Sequence, residues 1–119
     1  MDEGIFSPRS DWESLIKENS RTLHIAPEVY LKILSSSINQ GEKDIKELES
    51  AIGSENFSLI QPLAHRLKGV YGNLRLEALY KTAEAIDSFA KEHRDIERIR
   101  EQFVLFKKAF EELRMNVVA

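Results

Sequence analysis

Apolar residues recur at steps of three and four along nearly the whole chain, and nowhere do they alternate with polar residues over the length of a strand. A chain patterned this way can bury its apolar stripes only by packing helix against helix. The breakers agree: 119 residues hold 5 Gly and 3 Pro, too few for the many turns of a β-sandwich. That length suits one domain and leaves no room for separate nucleotide and substrate domains. The sequence therefore predicts a single all-α domain over residues 1–119, with residues 1–9 as a flexible N-terminal segment.

Ser10 and Glu13 have the spacing of a capping box, which predicts a short first helix to about Asn19 with Trp12, Leu15 and Ile16 inward. Pro27 suits the first position of a second helix. Leu31, Leu34, Ile38, Ile45, Leu48 and Ile52 keep one phase across Gly41, so one helix over 27–53 is expected, stopped by Gly53. Asn56 can cap a third helix to about Asn73 or Leu74, starting late or kinked because Pro62 lies in its first turns. A fourth helix from about Leu76 turns Leu79, Ala83, Ile86 and Ala90 inward. Asp95 caps a fifth, whose stripe is Ile96, Ile99, Phe103, Phe106, Phe110 and Leu113. Short connections between such helices predict an up-and-down antiparallel four-helix bundle with an additional short N-terminal helix.

Several chemistries are excluded. There is no cysteine, hence no disulfide, thiolate nucleophile or cysteine-held metal. A net charge of -3 is wrong for a general nucleic-acid binder. No apolar run reaches membrane-helix length, and the acidic N-terminus is not a signal peptide, so no membrane partner and a cytoplasmic location are expected. The starting Met1 weakly favours a whole small protein. His24, His65 and His93 lie far apart without i,i+4 spacing, so no metal site is expected. No Gly-rich phosphate loop is present.

The specific signal lies in the third helix. With about 100° per residue, Leu63, Leu67 and Leu74, flanked by Ile60 and Val70, fall opposite His65. His65 shares its side with Ser58, Gln61, Lys68, Gly69 and Gly72, and so points to solvent or a partner. Each glycine costs about 1 kcal/mol relative to alanine within a helix. Gly69 and Gly72, one and two turns beyond His65, would bare the surface beside the imidazole for a close approach. Lys68 at i+3 can reach a group on that imidazole, disfavour the protonated ring and stabilise a dianionic phosphoryl group. The pattern suits a phosphohistidine site; a surface histidine with accidental neighbours is the plain alternative.

The segment Ala64-His65-Arg66-Leu67-Lys68-Gly69-Val70-Tyr71-Gly72-Asn73-Leu74 resembles the A-H-x-L-K-G signature of histidine-containing phosphotransfer (HPt) domains. The resemblance implies that His65 is the phosphoacceptor, Lys68 the phosphate-stabilising cation and Gly69 the close-approach position. Gln61, Arg66, Gly69, Gly72 and Arg75, with Pro62, would then flank or form the receiver-docking face. It also implies a phosphocarrier without a kinase domain, passing phosphoryl groups between receiver domains of response regulators or hybrid sensor kinases. Such a chain needs no cofactor of its own, magnesium being on the receiver, and can act as a monomer. Two departures stand out. Val70 and Tyr71 follow the K-G where small residues are usual, and Arg75 occupies a usual glycine at the helix exit. The turn is then expected to use Asn73 in a left-handed conformation.

Two other functions fit the sequence. The chain could be an HPt-like module charged by a separate chemotaxis-type kinase, or a non-phosphorylated helical adaptor that binds a receiver.

Overall fold

The computed structural model describes residues 8–117, and side chains from Trp12 onward. It is all-helical: α1 Pro8–Thr22, α2 Pro27–Gly53, α3 Phe57–Asn73, α4 Glu77–Lys91 and α5 Ile96–Val117, with no strand among the described residues. Helix α1 already includes Ser10, so the expected capping box does not start it, and it runs on past Asn19. Residues 1–7 of the segment expected to be flexible lie outside the described residues, whereas Pro8 and Arg9 are helical. Helix α2 has the predicted bounds and passes through Gly41 unbroken. A Cβ there would lie 2.5 Å from Tyr71 Oη and 2.8 Å from the Phe110 ring, so Gly41 is small because α3 and α5 press on it. Asn56 does cap α3, its side chain accepting from the Leu59 amide at 3.3 Å. The helix starts there despite Pro62. The amide bond Pro62 forgoes would go to Ser58, which is exposed and open to water.

Helix α3 packs on α2 and α4, and α5 packs on α4 and α2, so these four helices close a ring of contacts; α1 lies outside it on α2 and α5. The core runs through the ring, with Leu34, Ile60, Leu67, Tyr71, Ile86, Ile99, Phe106 and Leu113 at its centre. The inward face of α3 is the expected Ile60, Leu63, Leu67 and Leu74, with Tyr71 added to it. Tyr71 is wholly buried, edge-on to Phe106 and Phe110, while Val70 is only half-buried. Burial pushes the Tyr71 phenol up to about 12, and it donates to the Ser37 carbonyl of α2 at 3.1 Å.

The four turns share one device. After α1 to α4 respectively, His24, Glu55, Arg75 and His93 adopt left-handed backbone, φ 59°, 52°, 62° and 53°. In each turn two successive amides bond back to the helix, as Arg75 does to Gly72 and Leu76 to Tyr71. Arg75 itself, not Asn73, therefore makes the exit from α3, and Glu55, not Gly53, makes the exit from α2. Asp95 precedes α5 with φ 61°, not the extended backbone of the expected side-chain cap. Asn19 and Tyr30 tie α1 and α2 to the α3–α4 turn. The Tyr30 hydroxyl donates to the Leu74 carbonyl at 2.5 Å, and the Asn19 amide donates to Tyr30 Oη at 3.1 Å.

Candidate functional site

His65 stands on the middle turns of α3 with its side chain 60% exposed. Beneath it lies Asp87 of α4, whose side chain is 3% exposed. His65 Nδ1 is 3.1 Å from Asp87 Oδ2, and Lys68 Nζ is 3.1 Å from the same oxygen. Gln61 Nε2 donates to Oδ1 at 2.7 Å. One buried carboxylate thus gathers three side chains from successive turns of α3. Burial opposes its charged form, but the hydrogen bonds from Gln61, His65 and Lys68, with the Lys68 charge, outweigh that and hold the Asp87 carboxyl below its usual range.

An ionised carboxylate has no proton to donate, so in the neutral ring it is His65 Nδ1 that carries the hydrogen. The lone pair is then on Nε2, on the far side of the ring from Asp87. The arrangement offers a nucleophilic nitrogen whose backing carboxylate can stabilise positive charge arising on the ring.

The chain matches the family model of the Hpt domain over residues 32–116, well over half its length. The chain belongs to the Hpt domain family. Hpt domains are phosphocarrier modules of two-component signalling that act in histidine phosphotransfer and interact with receiver domains. No curated protein and no solved structure gives a significant match. Within this Hpt domain the A-H-x-L-K-G segment lies on α3, and α1 lies outside the matched residues.

The expected site residues divide into two groups. His65, Lys68 and Gln61 come together around Asp87. Gln61 is therefore half-buried and engaged within the molecule rather than standing on a docking rim, and the Lys68 ammonium is engaged by a carboxylate rather than standing free beside the imidazole. Arg66 stays exposed, and its guanidinium lies 2.5 Å from Asp44 Oδ1 on α2, a buried carboxylate that also accepts from Gln40. Gly69 is exposed with open space where a Cβ would be. Gly72 is not a baring of the surface. A Cβ there would lie 2.9 Å from the Tyr80 ring, so this glycine admits α4. Arg75 is exposed in the turn, three helical turns beyond His65.

Asp87 and Asp44 escaped the sequence reading, although a signal existed. Asp87 follows Ala83 by four residues and Asp44 follows Gly41 by three, which places a charge on an inward stripe of each helix. A buried carboxylate needs a partner, and α3 supplies both. Among the described residues no group of three or more histidine or acidic side chains could hold a metal ion, and no helix is long and apolar enough to cross a membrane.

Proposed function

We propose that this Hpt domain is a phosphorelay intermediate that takes a phosphoryl group from a receiver aspartate onto His65 and hands it to another receiver. The single observation that carries the reading is the Nδ1 contact of the exposed His65 with buried Asp87. It directs the ring's lone pair outward at Nε2. In the forward step Nε2 attacks phosphorus in line, the N–P bond forms, and the P–O bond to the aspartyl carboxylate breaks with its electron pair leaving on that carboxylate. Positive charge arising on the imidazole faces Asp87. Charge on the transferred group is balanced by Lys68 on this side and by magnesium on the receiver side, with little covalent chemistry left for either protein. The open space at Gly69 lets the receiver come close. The ring of contacts among α2 to α5 supports an antiparallel four-helix bundle with α1 added. The proposed carrier acts as a cytoplasmic monomer without catalytic turnover of its own.

The test is a charging assay with a phosphorylated receiver. Wild-type protein is expected to take up acid-labile, base-stable phosphate, and His65→Gln none. Equal uptake by the variant, or none by the wild type from any of a panel of receivers, defeats the proposal. Uptake only from a kinase would reassign the donor.

A further inference from the structure

Three side chains of α3 meet Asp87, and they divide it unevenly. Oδ2 faces both His65 Nδ1 and Lys68 Nζ, each at 3.1 Å, whereas Oδ1 is held by Gln61 Nε2, at 2.7 Å. Gln61, His65 and Lys68 stand at i, i+4 and i+7, along one stripe of the helix. Among the described residues no other side chain bonds this carboxylate. Gln61 is thus the donor to Oδ1, and it is the neutral one of the three.

Phosphotransfer would ask different things of the three donors. The imidazole takes on positive charge, and the Lys68 ammonium balances the arriving phosphoryl group, so both partners of Oδ2 change during the reaction. The Gln61 amide carries no charge and does not titrate, so its hold on Oδ1 is the same before and after. Beside a carboxylate oxygen the amide has one workable orientation, with its NH2 toward the acceptor. Asp87 is 3% exposed, so without Gln61 its Oδ1 would be a buried acceptor short of a donor. The carboxylate would also be free to turn about its Cβ–Cγ bond, whose torsion is soft in aspartate. Each such turn changes how its oxygens meet His65 and Lys68. The hydrogen on Nδ1 depends on an ionised oxygen facing it, so Gln61 reaches the ring through Asp87.

We propose that Gln61 is a positioning residue for phosphotransfer: by holding Asp87 Oδ1 it keeps Oδ2 against His65 Nδ1 and the ring's lone pair on Nε2. The effect on rate rests on the phosphorelay reading; the effect on the ring rests on the geometry alone.

The test compares the full chain with Gln61→Met, which keeps the side chain's length and helix propensity but has no donor. Gln40→Met is the control, removing the same kind of amide donor from the other buried carboxylate, Asp44. Nitrogen chemical shifts of the His65 ring, recorded by NMR on the basic side of its titration, report the tautomer. They are expected to show the hydrogen on Nδ1 in wild type and Gln40→Met, and to move toward the Nε2–H form in Gln61→Met. In loading from a phosphorylated receiver, Gln61→Met is expected to lower the maximal rate about 10-fold. The half-saturating receiver concentration should stay within about twofold of wild type. An unchanged nitrogen pattern or an unchanged maximal rate in Gln61→Met overturns the proposal. So does a rate that falls only through the half-saturating concentration, since Gln61 would then be a docking residue. An equal response in Gln40→Met overturns it too, since lost stability would then suffice. A wild type that no receiver loads defeats the phosphorelay reading instead, and the nitrogen shifts still decide whether Gln61 orients the ring.

Discussion

At the scale of single residues, the proposed phosphotransfer makes Asp87 the group that positions His65. Asparagine in its place keeps the shape but removes the charge that fixes the tautomer and faces the developing imidazolium. Asp87→Asn is expected to slow charging by about 10- to 100-fold, read as the initial rate of phosphoryl uptake from a phosphorylated receiver. Its acid behaviour follows from the sign of the shift. A carboxyl held below its usual range in the folded state contributes stability above its unfolded pKa, and that contribution is lost as pH falls through the lower, folded value. Wild-type Tm should therefore fall more steeply below about pH 4 than that of Asp87→Asn, and a Tm series from pH 2 to 6 reads the difference. Gly69→Ala separates folding from docking. With open space at its Cβ position, alanine should gain up to about 1 kcal/mol of stability while slowing transfer to and from receivers. The sequence already put His65 on an outward face of α3 with Lys68 beside it, because such a face on an amphipathic helix is a local property. It hid Asp87 because the pairing spans 22 residues and two helices.

At the scale of elements, the helices were legible almost to the residue in α2 and α3, where Pro27, Asn56 and a sustained apolar phase are strong local signals. Their exits were not. Four turns close on left-handed residues, and none of the four is glycine. Side chains with a Cβ pay about 1 kcal/mol or more there, which the packed helices on either side enforce. Sequence rules look for glycine or asparagine at such turns and so misplace the left-handed residue, at Gly53 rather than Glu55 and at Asn73 rather than Arg75, although both helices stop where expected. Arg75→Gly and Glu55→Gly are each expected to add about 1 kcal/mol, and the pair to raise Tm by several degrees in a thermal melt. The glycines that matter lie inside the helices. Gly41→Ala drives a methyl against Tyr71 and Phe110 and should cost about 1–3 kcal/mol despite its better helix propensity, measurable by urea unfolding.

At the scale of the whole molecule, two adjacent residues of α3 are held from opposite sides. His65 is joined to Asp87 on α4, and Arg66 to Asp44 on α2. Breaking one anchor tests the arrangement as a whole: Arg66→Met should destabilise the domain by about 3 kcal/mol, because it strands a buried carboxylate, while charging per folded molecule persists. The helix between these anchors has its azimuth set, since any roll about its own axis stretches one pair as it crowds the other. A carrier must present the same nitrogen in the same direction to the partner that loads it and to the partner that unloads it. With the roll of α3 pinned, the empty and loaded forms can share one backbone. In the proposed relay the group would then pass in either direction without a conformational toll on either leg, and the direction of flow would be left to the relative energies of the two aspartyl phosphates.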